Sequence, residues 1–154
     1  MSEVTVKAVE LFSLVSELLE QGQSARISVT GTSMYPFLRH SLDSVEFSSG
    51  NFAQIARGDI VLSRRLSGAY VMHRVWRKEK EAYYIVGDAQ QWIEGPLEPQ
   101  QLVAVVEAIW RKDRRIACSK CWWRCCARIW LLLRPYRYFI MKCYRKMRKI
   151  IRVR

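Results

Sequence analysis

The first 117 residues of the chain contain no cysteine, and all five cysteines lie between positions 118 and 143. An odd, clustered set excludes the paired disulfide framework of small secreted domains and favours a reducing compartment. Long apolar runs are also missing. No stretch reaches the roughly 18 uncharged apolar residues of a membrane-spanning helix, and charged residues interrupt the N-terminal segment where a signal peptide needs its apolar region. We therefore expect a cytoplasmic protein.

Acidic residues are nearly absent from the C-terminal part of the chain. Residues 111–154 hold 16 Lys and Arg but only one acid, Asp113, whereas residues 1–110 hold 10 Lys and Arg and 13 Asp and Glu. The overall charge of +12 therefore describes neither part. A chain of 154 residues, half of them hydrophobic, is long enough to bury one core. The composition indicates a near-neutral body followed by a strongly basic tail.

The spacing of apolar residues divides the chain into three predicted segments. Residues 1–24 show three- and four-residue spacing, which predicts an amphipathic helix packed on the body. Residues 25–112 alternate in short runs separated by Gly, Pro and charged turns, which predicts a mainly β fold, a coiled antiparallel β domain. Residues 113–154 form a basic, aromatic-rich tail that Pro135 divides into two helical halves. The predicted strands are 26–30, 44–47, 59–63, 69–76, 82–86 and 102–110.

A serine, a histidine and an aspartate follow one another along the body, each in a short, unusual local sequence. Ser33 lies in Gly-Thr-Ser-Met-Tyr-Pro at 31–36, His73 lies in a predicted strand, and Asp88 lies in a Gly-Asp-Ala turn. A hydroxyl nucleophile needs a base, and the base needs an orienting partner. Each residue also has a plainer interpretation: a Ser-rich turn, a core histidine, or an aspartate that bonds its own turn.

Strand alternation places His73 on an inward face with Val71. We expect a half-buried imidazole with a pKa near neutrality, which suits a general base. The other histidine, His40, lies between Arg39 and Ser41 in a predicted loop, and we expect it to be solvated without a role.

Four motifs occur in a fixed order: Gly-Thr-Ser-Met-Tyr-Pro at 31–36, Arg-Gly-Asp-Ile-Val at 57–61, His-Arg-Val at 73–75 and Gly-Asp-Ala at 87–89. Together they closely resemble the type I signal peptidases and their relatives, a serine-peptidase superfamily that includes the self-cleaving SOS-repressor proteases. The resemblance covers about residues 26–110 and implies a coiled β domain with endopeptidase activity. Most bacterial members place a lysine before Arg-Val. The histidine here is similar to the endoplasmic-reticulum and archaeal branch.

The resemblance also implies residue roles. Ser33 would be the nucleophile, His73 the general base, and Asp88 the support of the imidazole. It implies a peptide or protein substrate. We expect no cofactor and no metal. Two alternatives stay open: a catalytically inactive β module that binds peptides or docks at a membrane, and a self-cleaving regulator. Three further residues would stabilise the oxyanion or the turns near the site: Thr32, Gly31 and Asp59.

The tail mixes cations with aromatic and aliphatic side chains, a combination that suits the headgroup layer of an anionic membrane. We therefore expect peripheral association with the inner face of a membrane. Packing of the tail on the body is the main alternative. Nucleic-acid binding is not favoured because no recognition motif accompanies the charge. The candidate membrane contacts are Trp122, Trp123, Arg124, Arg128, Trp130, Arg134 and Arg137.

The cysteine spacing in the tail, Cys-x-x-Cys at 118–121 followed by two adjacent cysteines at 125–126, raises the question of zinc. The tail has no histidine, and adjacent thiols suit tetrahedral coordination poorly. Acylation or burial of these thiols is therefore favoured over a metal site.

Overall fold

The structure of the protein is a computed structural model that describes residues 3–152, with side-chain surroundings for residues 9–147. The outer ends of the predicted segments 1–24 and 113–154 lie outside the described residues. The described helices are α1 (Glu3–Glu20), α2 (Cys121–Leu132) and α3 (Arg137–Arg152). The strands are β1 (Ala25–Ser28), β2 (Asp43–Ser49), β3 (Ile60–Arg64), β4 (Tyr70–Lys78), β5 (Tyr83–Val86), β6 (Glu94–Leu97), β7 (Leu102–Arg111) and β8 (Arg114–Ala117).

All the paired strands form one antiparallel sheet in the order β1-β2-β7-β3-β4-β5-β6, with β8 paired to β7. The predicted mainly β, antiparallel architecture is confirmed. Strand β6 was predicted as a loop because of Gly95 and Pro96. Proline lacks the ladder N–H, and β6 tolerates it because, within residues 3–152, this strand pairs only with β5 at the edge of the sheet.

The sheet extends one strand past residue 112, the predicted end of the body. Lys112 and Asp113 both adopt positive φ, at 47° and 60°, and turn the chain back so that β8 pairs with β7. A charged two-residue turn gives no apolar signal, so the sequence did not separate this hairpin from the basic tail. The sheet therefore continues to Ala117.

Two apolar clusters lie on the two sides of the sheet. Successive side chains of β3 point to opposite sides, so this strand contributes residues to both clusters. Leu62 belongs to the cluster under helix α1, where Val15 and Leu19 are buried, while its neighbour Val61 packs with Val75 in the second cluster. The helix predicted for the N-terminal segment is confirmed, and its apolar stripe covers the sheet as expected.

The tail forms two helices separated by a 3-10 turn at 134–136, as Pro135 predicted. One face of α2 is buried against the body, and the Phe37 ring contacts Trp123 and Trp130 with centroid distances of 5.3 and 6.0 Å. The tail thus packs on the body through this face. Within residues 3–152, no helix combines the length and apolar character that crossing a bilayer requires.

Candidate active site

Ser33 lies in the turn-rich segment between β1 and β2. The segment begins at Gly31, whose φ of +83° is a conformation that glycine adopts readily. The Gly31 N–H donates to Nδ1 of His40 at 3.0 Å. His40 is exposed, as expected, but its imidazole also holds the loop that leads into Ser33.

The far end of the same segment is fixed by Asp43 at the start of β2. Its buried carboxylate accepts hydrogen bonds from the guanidinium groups of Arg39 and Arg111, at 2.8 and 2.9 Å. Burial by itself would raise the pKa of Asp43, but these bonds outweigh burial and lower it to about 2. The Ser33 segment is thus anchored to the sheet by an ionised carboxylate.

The backbone joins Ser33 to the Gly-Asp-Ala turn. The Ser33 carbonyl accepts the N–H of Ala89 at 2.8 Å. A Cβ on Gly87 would lie 2.9 Å from that carbonyl oxygen and 2.6 Å from Oε1 of Gln90. Only glycine permits this approach. The first and last motifs of the sequence are therefore in direct contact.

Strand register brings His73 to the same place. Arg74 of β4 lies opposite Val86 of β5, so the next position along the antiparallel ladder sets Gly87 beside His73. Since Gly87 lies against the Ser33 carbonyl, the backbone of the Ser33 loop lies next to the strand end that carries His73. The serine and Gly-Asp motifs are therefore in contact, and the histidine motif lies on the neighbouring strand.

His73 is 4% exposed, and its Nδ1 is buried with no hydrogen-bond partner among the described residues. Burial lowers the pKa of His73 to about 4; the charge of Glu94 acts against this shift, Arg65 adds to it, and Asp88 opposes it weakly. The expectation of a half-buried imidazole with a pKa near neutrality is wrong, because His73 shares its face of β4 with the second apolar cluster.

Asp88 does not orient this imidazole by hydrogen bonding. Its Oδ1 accepts from Nε of Arg74 at 2.8 Å and its Oδ2 from Nη2 at 2.6 Å, with both side chains fully buried. This two-point match occupies both carboxylate oxygens. Arg74 also donates to the Gly58 carbonyl at 2.7 Å. The support role expected for Asp88 is thereby corrected: Asp88 pairs with Arg74.

Sequence reasoning missed Glu94 as a charged neighbour of His73. Glu94 lies at the start of β6 opposite Ile85, and its carboxylate is paired with Arg65 at 2.6 Å. The hydrogen bonds from Arg65 lower the pKa of Glu94, so it is ionised. The Gly-Pro pair that follows Glu94 is typical of a loop, and no local pattern indicates that Glu94 comes near the histidine.

The remaining site residues have backbone roles or line cavities. Asp59 accepts the Ala56 N–H through Oδ2 at 2.8 Å, which confirms its expected place in a turn. Thr32 is exposed and accepts the Tyr35 N–H at its carbonyl. Neither His73 nitrogen is hydrogen-bonded to the Ser33 hydroxyl in the described part of the chain.

Ser33 borders an open apolar cavity of about 250 Å³ on the α1 side of the sheet. Its lining includes Val29, Met34, Val45, Phe47, Tyr70 and Met72. A second cavity of about 460 Å³ lies on the other side of the Ser33 segment, between Thr32, Ala89 and helix α3.

The tail holds the turn that contacts Ser33. Arg137 donates to the carbonyls of Gly87 and Gln90 at 3.0 and 3.3 Å, and Nε1 of Trp130 donates to the Asp88 carbonyl at 3.0 Å. Arg134 reaches the Gln91 carbonyl at 2.6 Å. Residues 87–91 are thus fastened from α2 and α3.

These contacts correct part of the expected membrane surface. Trp123, Trp130 and Arg137 are buried and face the body, so they are unavailable to a membrane. Burial lowers the pKa of Arg137 to about 10. Other proposed contacts remain exposed: Trp122, Arg124 and Arg128. Arg134 is half-buried.

No protein-family model, curated protein or solved structure matches the chain. Within residues 3–152, no group of three or more His, Cys, Asp or Glu side chains is placed to hold a metal ion. The structure is that of a mainly β protein whose Ser33 loop is hydrogen-bonded to the Gly-Asp-Ala turn at residues 87–89.

Proposed function

We propose that the protein is a serine endopeptidase of the signal-peptidase type, in which Ser33 is the nucleophile and His73 the general base. One observation carries the proposal. The 2.8 Å bond from Ala89 to the Ser33 carbonyl, with the glycine-only contact at Gly87, holds the Ser33 backbone against the turn that follows β5, the strand paired with β4 of His73. A buried imidazole nitrogen without a partner at this place is a group to which a substrate-bound serine can give its proton.

The reaction is acyl transfer. Ser33 Oγ attacks a peptide carbonyl while His73 takes the hydroxyl proton, and His73 then protonates the leaving amine. Water hydrolyses the resulting ester. With a pKa of about 4, His73 is neutral at pH 7 and in its basic form. The nearby charges of Glu94 and Asp88 favour the imidazolium that forms during the reaction.

Asp88 then acts as a positioning residue. Through its buried pair with Arg74 and the Trp130 bond to its carbonyl, it fixes the turn that carries Ala89. The Ser33 N–H and the Thr32 hydroxyl are the donors we assign to the oxyanion. Gly31 and Asp59 support the turns that present these groups.

The 250 Å³ cavity beside Ser33 supports a preference for a small apolar side chain next to the scissile bond. Its lining is mainly aliphatic, thioether and aromatic, with the hydroxyls of Ser28, Thr30 and Ser33, and it carries no charged side chain. The substrate class is therefore an extended peptide segment.

A second candidate function is a peptide-binding β module without catalysis. It is favoured by one observation: the Ser33 hydroxyl and the His73 imidazole are not hydrogen-bonded to each other. Such a module would use the same cavity and leave the serine unreactive.

A serine-directed fluorophosphonate probe separates the two functions. We expect the full chain to be labelled at Ser33, and a mixture of unrelated peptides to be cleaved, as read by mass spectrometry. Ser33→Ala should abolish both, and His73→Gln should reduce both by about 100-fold or more. Ser67→Ala, at an exposed turn serine, is the matched control.

Labelling at another serine, or equal cleavage by Ser33→Ala, would reject the nucleophile. A folded wild-type chain that is neither labelled nor active, yet binds peptides, would establish the non-catalytic module. Unfolding midpoints of each variant show whether a lost activity reflects lost structure.

A further inference from the structure

We propose that the outward faces of α2 and α3 bind the surface of an anionic lipid bilayer. The proposal rests on the exposed residues and charge of the tail and does not require Ser33 to be a nucleophile.

Helix α2 is apolar on two opposite faces. One face is buried against the body through Trp123, Trp130 and two smaller residues. A monomeric soluble protein normally presents a polar face on the other side, but α2 instead exposes further apolar side chains at three- and four-residue steps. The exposed members are Trp122, Cys125, Cys126, Ile129 and Leu132.

Helix α3 also exposes a row of apolar side chains. Phe139, Cys143 and Met147 follow at four-residue steps and are exposed, with Phe139 at 69%. Lys142 and Lys146 are exposed on the neighbouring flank of the helix. Rings and thioethers beside lysines are typical of a helix that lies in the membrane interface, with its apolar side in the acyl boundary.

The charge of the tail selects an anionic partner. Residues 114–154 contain 14 Lys and Arg and no Asp or Glu, whereas residues 1–110 are net negative. On α2 the apolar face is bordered by the exposed Arg124 and Arg128. Each cation near an anionic leaflet strengthens binding about fivefold.

A lipid surface fits this face better than a polynucleotide. Ile129, Leu132 and Met147 gain nothing from a phosphate backbone, but they leave water when they enter the acyl boundary. Side chains of Trp and Tyr favour the same layer. The occupant is therefore a bilayer that carries negatively charged headgroups.

The docking helices are fastened to the Ser33 region. Arg137 and Trp130 bond the carbonyls of residues 87–91, and that turn bonds the Ser33 carbonyl through Ala89. A docked tail therefore keeps the Ser33 cavity close to the bilayer.

The test is flotation of the full-length chain with phosphatidylserine–phosphatidylcholine vesicles and with phosphatidylcholine vesicles alone. We expect binding to the mixed vesicles, weakened by added salt because the attraction is screened. Ile129→Gln combined with Phe139→Gln should weaken it about tenfold or more. Leu42→Gln combined with Leu66→Gln, at two exposed leucines of the body, should leave it unchanged.

A second pair of variants tests whether the positive charge of the tail contributes to vesicle binding. Arg128→Gln should weaken binding about fivefold, and Lys80→Gln in the exposed hairpin of the body should not. These single surface changes also keep the test informative if the apolar double variant does not fold.

Failure of the folded full chain to float overturns the proposal, as does equal loss in the body controls. Two other results also overturn it. One is a salt-sensitive complex with single-stranded RNA, unaffected by the apolar double variant, in a chain that does not float. The other is a dimer in solution that the apolar double variant dissociates without any flotation.

Discussion

Arg74 and Asp88 form a two-point ion pair with both side chains fully removed from solvent, at 2.8 and 2.6 Å. The pair joins the middle of β4 to the turn that contacts Ser33. The guanidinium also lies over the Phe37 ring, 4.6 Å from its centroid, and so contacts the segment that follows Ser33. Arg74 also donates to the Gly58 carbonyl, so one buried arginine links the motifs at 57–61, 73–75 and 87–89, three of the four.

Arg74→Met should destabilise the protein by about 3–5 kcal/mol, because Asp88 would remain buried and charged without a partner. Urea unfolding measures the change. Arg77→Met, which removes the exposed pair with Glu79, is the control and should cost less than about 1 kcal/mol. The double variant Arg74→Met with Asp88→Leu should recover much of the loss. A loss under 1 kcal/mol in Arg74→Met would contradict the structural role.

Gly87→Ala should displace the Ser33 carbonyl, because the new methyl would lie 2.9 Å from it. We expect Ser33 labelling to fall by more than the fraction of Gly87→Ala molecules that are unfolded. In contrast, Gly31→Ala meets no atom within 4 Å and should cost only about 1 kcal/mol for its positive φ. Adding Gln90→Ala removes one of the two contacts at Gly87 and should restore stability only in part. Full labelling of Ser33 in Gly87→Ala would show that the close contact between Gly87 and the Ser33 carbonyl is not needed to position Ser33.

The low pKa of His73 predicts how stability depends on pH. The folded imidazole binds its proton near pH 4, whereas the unfolded one binds it near 6.5. Between these values the unfolded state holds more protons, so stability falls as the pH is lowered through this window, by up to about 3 kcal/mol. Urea unfolding of wild type and His73→Gln at pH 7 and pH 4.5 measures the difference. A parallel pH dependence in both proteins would exclude His73 as its source.

The same shift predicts the acid limb of activity. Labelling of Ser33 should persist well below pH 6.5 and fall near pH 4, where His73 becomes protonated. An NMR titration of His73, assigned with the aid of a His40→Gln variant, gives the pKa directly. An acid limb near pH 6.5 would mean that another group, or a more exposed histidine, controls the reaction.

Arg137→Lys should loosen residues 87–91, because a lysine cannot reproduce the bonds that the planar guanidinium makes to the carbonyls of Gly87, Gln90 and Trp130. We expect faster amide hydrogen exchange at Ala89 together with weaker Ser33 labelling. Arg145→Lys, at an exposed position of α3, is the matched control. Unchanged exchange at Ala89 in Arg137→Lys would show that the tail does not hold this turn.

Local pattern alone was sufficient for much of the architecture. Alternation predicted six of the strands, the three-and-four spacing predicted α1, and Pro135 marked the break between α2 and α3. These features depend on neighbours within a few residues, which a sequence displays directly. Strands β6 and β8 were missed because their local signals, a Gly-Pro pair and a run of charges, are those of loops.

The sequence by itself determined which residues are chemically able to act: a serine in a constrained turn, a histidine on a strand, and an aspartate after a glycine. Tertiary structure alone decided what they touch. Asp88 pairs with Arg74, because a buried guanidinium requires a carboxylate that can accept two bonds. Burial lowers the pKa of His73 below the expected value. Trp130 and Arg137 face the body and hydrogen-bond the turn that contacts Ser33. Such partnerships depend on distances between distant parts of the chain, which only folding sets.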